Sequence, residues 1–280
     1  CVQAQLNYYN WNENWMTRQF AIEYAAFFDL MLPTLVRLGM PIPLGGTSTH
    51  FRIQALREVG AWDPNNVTED ADLGQRFAVM GYRCGIIRST TQEEANCRLN
   101  NWIRQRSRWA KGWMQTYLVR MRHPVQLYRA LGLRGFIGFQ IVIGGSSLSN
   151  LLHPVFYVTM ALALFLAGTP AGFQHGTALA LFNVIVLVSG YSSAIAAGMA
   201  AVHVRGLAPL FLQTLTMPAY WLLVSIATYK AIWQLITRPF HWEKTDHGLS
   251  RMMVDQFACL QPSGDMASTQ RKKAISDRSY

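Results

Sequence analysis

Two short polar motifs contain the residues of this chain that could do chemistry. Thr68-Glu69-Asp70 opens a predicted helix, and Gln105-Arg106-Ser107-Arg108-Trp109 begins 35 residues after Asp70. A carboxylate exposed at a helix start can take the proton of a hydroxyl group. A guanidinium group can donate two parallel hydrogen bonds to phosphate oxygens. The flat face of an indole can stack against a sugar ring. The two motifs together indicate chemistry on a phosphate-bearing sugar donor.

Each motif also has a structural interpretation. An aspartate such as Asp70 in the first turn of a helix is most often a cap. Arginines and tryptophans on an amphipathic helix can lie at a membrane surface without binding any ligand. If Asp70 is instead the base, the positive end of its helix is expected to stabilise its ionised form.

The elements that must position these motifs can be predicted from periodicity. Residues 70–80 predict a helix that ends at Gly81, and residues 100–122 predict a longer one. The longer helix has a basic face and a tryptophan-rich face, which suits the headgroup layer of a membrane. An aromatic helix is predicted over residues 13–32, interrupted by Pro33.

A membrane region follows the second motif. Residues 135–204 contain no Lys, Arg, Asp or Glu, and a helix needs ~20 apolar residues to cross a bilayer. A break is predicted at His153-Pro154, and a span over residues 178–202. Residues 207–236 predict two short interfacial or re-entrant helices, with a third span as the alternative. Basic residues on both sides indicate that both ends are cytoplasmic.

The formal net charge of +10 is typical of proteins that bind nucleic acid or membranes. Nucleic acid is not expected as a partner, because the basic run adjoins the apolar region and no nucleic-acid motif is present. The four cysteines lack metal-type spacing, so neither zinc nor a disulfide is expected. Gly45-Gly46-Thr47-Ser48 predicts either a close backbone approach to a sugar acceptor or an ordinary tight turn.

Taken in order, these motifs resemble the C-terminal half of a processive family 2 glycosyltransferase, such as the cellulose synthase-like bacterial β-glycan synthases. The resemblance covers about residues 1–250. It is carried by three runs of sequence: Pro43-Leu44-Gly45-Gly46-Thr47-Ser48, Val67-Thr68-Glu69-Asp70-Ala71-Asp72-Leu73-Gly74 and Gln105-Arg106-Ser107-Arg108-Trp109. Residues 240–248 also resemble a segment that follows the membrane helices in bacterial members, and no role is assigned to them.

The resemblance implies an α/β GT-A-type catalytic domain, of which residues 1–133 form the C-terminal half. Interfacial and transmembrane helices would occupy residues 134–236, and a cytoplasmic tail residues 237–280. Asp70 would be the catalytic base. The donor and acceptor would be bound by Gln105, Arg106, Arg108, Trp109, Thr68, Glu69, Gly46 and Thr47.

The same resemblance implies an inverting enzyme of the inner membrane, multi-pass, with its catalytic domain in the cytoplasm. It would transfer a sugar, with glucose favoured, from a UDP-sugar to a growing glycan in the lipid bilayer, with accessory secretion subunits as further partners. Mg²⁺ or Mn²⁺ would be bound mainly by a motif preceding these residues, so the chain is expected to be part of a longer synthase and inactive alone. The alternatives are a lipid glycosyltransferase that adds one sugar, and a transporter of an anionic ligand.

Overall fold

The computed structural model describes residues 1–169 and 173–251, and within these residues the protein is mostly helical with one small sheet. The strands are β1 (Val2–Tyr8), β2 (Thr49–His50) and β3 (Gly85–Glu93). The helices are α1 (Trp15–Ala25), α2 (Leu32–Arg37), α3 (Ile53–Glu58), α4 (Glu69–Val79), α5 (Leu99–Arg120), α6 (Pro124–Phe139), α7 (Ser146–Ala167), α8 (Phe173–Arg205) and α9 (Met217–Thr237).

The sheet has the strand order β2-β1-β3, with β1 antiparallel to β2 and parallel to β3. At the far end of the parallel pair, Tyr8 of β1 lies opposite Glu93 of β3. At the near end, the free thiols of Cys1 and Cys84 lie 2.8 Å apart. This small mixed sheet fits an α/β domain, and the rest of a GT-A architecture stays a prediction.

The predicted helix break at Pro33 is wrong. A π-helical segment, Ala26–Met31, joins α1 to α2, and the N–H of Leu32 donates to the carbonyl of Phe27. Pro33 lies in the first turn of α2, where its missing N–H costs little. The break predicted at His153-Pro154 is also wrong, because α7 continues through Pro154.

Four helical stretches are long and apolar enough to cross a membrane: Trp15–Arg37, Pro124–Ala167, Gly176–Arg205 and Ala208–Thr237. The third contains the predicted span over residues 178–202. In the last stretch, two short 3₁₀ turns are followed by one long helix, α9. This arrangement is closer to the alternative of a third span than to two short interfacial helices. The first was not predicted as a span. Residues 252–280, most of the predicted cytoplasmic tail, lie outside the described residues.

The prediction that α5 lies in the headgroup layer is not supported, because protein covers two of its faces. Trp102 has 0% of its surface exposed and packs against Tyr220 of α9, with the rings 5.3 Å apart. Lys111 is equally buried and lies beneath residues 238–241. The amphipathic pattern of α5 therefore reflects packing inside the protein.

The end of α8 is bound to both the sheet and the aromatic helix. The Arg205 guanidinium donates to the Asp29 carboxylate at 2.8 Å and to the Leu6 carbonyl of β1 at 2.7 Å. Both charged side chains are buried. A paired buried charge costs several kcal/mol when one partner is removed, roughly 3–5 kcal/mol, so this junction is a fixed point of the fold.

Two glycines determine where α4 lies. A Cβ at Gly112 of α5 would be 2.1 Å from the Thr68 hydroxyl oxygen, and a Cβ at Gly74 of α4 would be 2.3 Å from the Ile42 carbonyl oxygen. No side chain fits at either position. The start of α4 is therefore in direct contact with α5, and its middle with the residues before the Gly45-Gly46 loop.

We expect Gly112→Ala to lower the melting temperature of the purified protein, because the new methyl group must displace Thr68. Overpacking of this kind costs about 1–3 kcal/mol. Gly190→Ala in α8 is the matched control, since a Cβ there meets nothing within 4 Å among the described residues. Equal melting temperatures for the two variants would show that the Thr68 contact is not tight.

Candidate active site

An open cleft of about 550 Å³ lies at the start of α4. Small-molecule sites typically measure about 300–1,000 Å³. The cleft brings together segments that are far apart in sequence, namely the Gly45-Gly46 loop, the turn before α4, α4 itself and the segment after α9. Its lining residues are Gly46, Trp62, Asp63, Pro64, Asn66, Glu69, Asp70 and Trp242.

Asp70 presents one carboxylate oxygen to this cleft. It is the second residue of α4, and Thr68 holds the N-cap position. The indole N–H of Trp62 donates to Asp70 Oδ1 at 3.2 Å. Asp70 Oδ2 faces Gly46, where an added Cβ would be 3.1 Å away. One oxygen is thus held, and the other faces the loop predicted to lie beside the acceptor.

The pKa of Asp70 is raised to about 6, first because the carboxyl is buried and second because Glu69 is a neighbouring negative charge. The Trp62 hydrogen bond and the positive charge of Arg108 lower it by less. The start of the helix was expected to stabilise the ionised form, but burial and Glu69 outweigh the effects that lower the pKa. A carboxylate with a pKa near the working pH is a more effective general base than an ordinary aspartate.

The loop beside Asp70 is held from behind by a buried glutamine of β1. The side chain of Gln3 accepts from the Gly45 N–H at 2.8 Å and donates to the Thr47 carbonyl at 2.9 Å. The Thr47 hydroxyl donates to the carboxylate of Glu93 at the end of β3. Gly46 is exposed between these fixed points, so its backbone is open to a ligand.

Glu93 is a second carboxylate near the loop that sequence reasoning missed. Burial raises its pKa, and the Thr47 hydrogen bond and the positive charge of His247 oppose that rise. Its position follows from β3, whose last residue is Glu93. Trp62 and Trp242 were also missed, because Trp62 lies in a turn without a recognisable motif and no role was assigned to residues 240–248.

Of the two arginines in the second motif, Arg108 is the one beside the carboxylates of Glu69 and Asp70. Its guanidinium lies 4.3 Å from the centre of the Trp242 ring. Burial lowers its pKa, and the negative charges of Glu69 and Asp70 raise it. Arg108 itself does not line the cleft, but its guanidinium lies against Trp242, which does, so an anionic ligand beside that ring would lie near a positive charge.

Arg106 lies on a different side of α5 and is already bound. Its guanidinium donates to both oxygens of Glu23, one at 2.6 Å, and to the Tyr220 hydroxyl at 2.7 Å. It also stacks over Phe20 at 4.2 Å. The structure therefore does not bring Arg106 to the cleft, and its geometry gives no support to the role in binding the donor that the resemblance implies.

The other two residues of the motif that were predicted to bind a ligand, Gln105 and Trp109, are also packed into the protein. Gln105 is buried and accepts from the side-chain amide of Asn96 at 2.8 Å. Trp109 is partly buried, with its ring 5.0 Å from the Arg106 guanidinium and 6.4 Å from the ring of Tyr24. Their predicted roles toward donor and acceptor stay predictions.

No group of three or more His, Cys, Asp or Glu side chains that could hold a metal ion occurs in residues 1–169 or 173–251. The divalent cation implied by the resemblance therefore has no set of ligands in this part of the protein.

One curated relative shares part of this sequence. A beta-monoglucosyldiacylglycerol synthase of Synechocystis sp. is 30% identical over 115 residues, which make up 39% of this chain and 24% of the relative. The chain thus spans about a quarter of the length of that relative.

The family itself is shown by a longer match. Residues 1–236 match the family described as "Glycosyl transferase family group 2". This range includes both motifs, every lining residue of the cleft except Trp242, and the four apolar stretches except Thr237. The chain belongs to the family 2 glycosyltransferases.

Proposed function

We propose that this chain forms the base-containing part of a membrane-bound, inverting glycosyltransferase. The enzyme moves a sugar from a UDP-sugar, glucose in our proposal, to an acceptor hydroxyl. The observation that carries this proposal is Asp70, whose Oδ2 faces the exposed Gly46 backbone in an open cleft. The match of residues 1–236 to the glycosyltransferase family supports it.

In the proposed reaction the acceptor hydroxyl lies between Asp70 and the Gly46 loop. Asp70 Oδ2 takes the hydroxyl proton while the hydroxyl oxygen attacks the anomeric carbon of the donor sugar. The bond from that carbon to the diphosphate oxygen breaks, and UDP leaves with the bonding electron pair. A single displacement of this kind inverts the configuration at the anomeric carbon.

Arg108 is the residue best placed to act on the departing diphosphate. Burial lowers the pKa of its guanidinium, and the charges of Glu69 and Asp70 lie close enough to offset part of that fall. A fixed positive charge near the leaving group stabilises the negative charge that develops there. A divalent cation would supply further neutralisation. Because the described residues offer it no ligand set, no step here depends on it.

For the acceptor we propose a growing β-glycan, with processive addition, as the resemblance of the second motif implies. Trp109 would contribute an aromatic surface near the glycan end. A lipid acceptor is the second candidate, and the Synechocystis sp. relative, a beta-monoglucosyldiacylglycerol synthase, favours it. The four apolar stretches are compatible with either acceptor, since both are used at a membrane.

Replacing the base should abolish transfer without harming the fold. We expect Asp70→Asn in the full-length protein to lower the turnover of UDP-glucose by about 10²–10⁴-fold, the usual contribution of a general base. Donor binding should change little, because the phosphate contacts remain. Incorporation of labelled glucose by membranes measures the first quantity, and equilibrium binding of UDP-glucose measures the second.

Asp63→Asn is the matched control, because Asp63 lines the same cleft but accepts a hydrogen bond from the Asn65 N–H within its own turn. We expect this variant to retain transfer. Wild-type transfer rates in Asp70→Asn would mean that Asp70 only stabilises the start of α4.

The rate should depend on pH through the ionisation of Asp70. The base works only when ionised, so kcat/KM should fall as the pH drops through about 6, where Asp70 becomes protonated. With one ionisation, the fall approaches about tenfold per pH unit on the acid side. A pH profile with the melting temperature measured at each pH separates this effect from unfolding. An acid limb near the ordinary aspartate pKa would contradict the proposed environment of the base.

The acceptor can be identified from the product. If it is a growing glycan, Trp109→Ala should shorten the polymer, because the terminal sugar loses its aromatic surface. Trp113→Ala on the same helix, where the ring packs against Phe27, is the control. Labelled products are separated into a water-insoluble polymer and a solvent-extractable lipid. Label found only in the lipid would contradict the glycan proposal. Unchanged polymer length in Trp109→Ala would contradict the role of Trp109 as an aromatic surface for the glycan.

A further inference from the structure

The segment of residues 238–251 follows α9 and returns along α5 to the cleft. It includes residues 240–248, which the sequence singles out but to which neither the fold nor the proposed reaction gives a role. Trp242 is the member of this segment that lines the cleft. The contacts that hold the segment decide where that ring lies.

A buried lysine holds the beginning of the 238–251 segment. Lys111 Nζ donates to the His241 carbonyl at 2.6 Å and lies 3.5 Å from the Arg238 carbonyl. The adjacent turn of α5 adds Gln115, whose side-chain amide donates to the Pro239 carbonyl at 3.0 Å. Lys111 is 0% exposed, and a charged group buried this far is stable only when its donors are bound.

Other side chains hold the middle and the end of the segment. Asn101 donates to the Asp246 carbonyl at 2.7 Å and accepts from the Asp246 N–H at 2.9 Å. The Glu94 carboxylate accepts from the N–H groups of Gly248 and Ser250 at 2.5 and 2.6 Å. These bonds are to backbone atoms, so they fix the path of the chain whatever side chains it carries.

Trp242 is the residue that this path places against the reactive groups. It directly follows His241, whose carbonyl is bound by Lys111, and 48% of its side chain remains exposed in the cleft. Its ring covers the guanidinium of Arg108 at 4.3 Å. A cation over an indole face is attracted to it, which restricts where Arg108 can point.

We propose that Lys111 is a positioning residue for the sugar donor. By binding the carbonyls of residues 238 and 241 it places Trp242 on Arg108, and so fixes the Arg108 guanidinium where the donor diphosphate binds. The inference rests on the proposed function for its donor, but the effect of Lys111 on the 238–251 segment can be measured without any transfer. Lys111 itself touches neither substrate.

The test compares variants of the full-length protein in two measurements. Lys111→Met removes the ammonium group and keeps the chain length, whereas Lys111→Arg keeps a cation with N–H donors. Trp242→Ala removes the ring at an exposed position, so it changes no buried residue. Lys244→Met is the matched control, because Lys244 is exposed in the same segment and its side chain makes no hydrogen bond or ion pair with the described residues. The measurements are backbone amide hydrogen exchange of the segment, and KM and kcat for UDP-glucose.

We expect faster amide exchange in residues 238–242 in Lys111→Met, near-normal exchange there in Lys111→Arg, and no change in Lys244→Met. Residues 246–250, which Asn101 and Glu94 hold, should keep their exchange rates in all three variants. The donor KM should rise about tenfold in Lys111→Met and in Trp242→Ala, the scale of a lost cation–π contact. The value of kcat should fall as well, because Arg108 is no longer held where it stabilises the departing diphosphate. Because both changes release Arg108, the double variant should show no further rise.

Unchanged exchange in Lys111→Met would overturn the inference, as would multiplied KM effects in the double variant. An unaltered donor KM in Trp242→Ala would overturn it even if Lys111→Met fails to fold. Absence of transfer by the wild-type protein would overturn the proposed function instead, and the exchange measurement would still decide whether Lys111 fixes the segment.

Discussion

The close packing of α4 at two glycines is the constraint on which the rest of the site depends. Without side chains at positions 74 and 112, the helix contacts Ile42 on one side and α5 on the other. The first contact places Asp70 beside the Gly46 loop, and the second places it beside Arg108. The Asp70 carboxylate, the exposed Gly46 loop and the Arg108 guanidinium thus come together because α4 can pack closely against its neighbours at the two glycines.

Helical geometry divides the second motif between structure and chemistry. Arg106 and Arg108 are two residues apart, so they point to different sides of α5. Arg106 meets Glu23 and Tyr220 and connects α1, α5 and α9. Arg108 remains beside the carboxylates of the cleft. A short run with two arginines therefore supplies one buried ion pair and one group available to a ligand, and sequence alone cannot tell which is which.

The sequence predicts those parts of the molecule that depend on neighbours along the chain. α4 and α5 were predicted to within two residues because their periodicity and end signals are local, and Asp70 lies at the start of α4 as its motif predicted. The predicted break at Pro33 failed because Pro33 lies in the first turn of α2, where no N–H is needed, and α7 simply continues through Pro154. Glu93 and Trp242 were missed because only the sheet register and the return of the chain along α5 bring them to the cleft. The raised pKa of Asp70 also depends on burial, which no local pattern reveals.

The junction at Arg205 has a mechanical consequence. Arg205 at the end of α8 donates to the Leu6 carbonyl of β1. Gln3 lies on the same strand and holds the Gly45-Gly46 loop beside Asp70. Spanning helices tilt when the bilayer thickness differs from their apolar length. If α8 crosses the bilayer, such a tilt would be transmitted through β1 to the Gly45-Gly46 loop. The thickness of the surrounding lipid would then affect the distance between the Gly46 backbone and the Asp70 carboxylate.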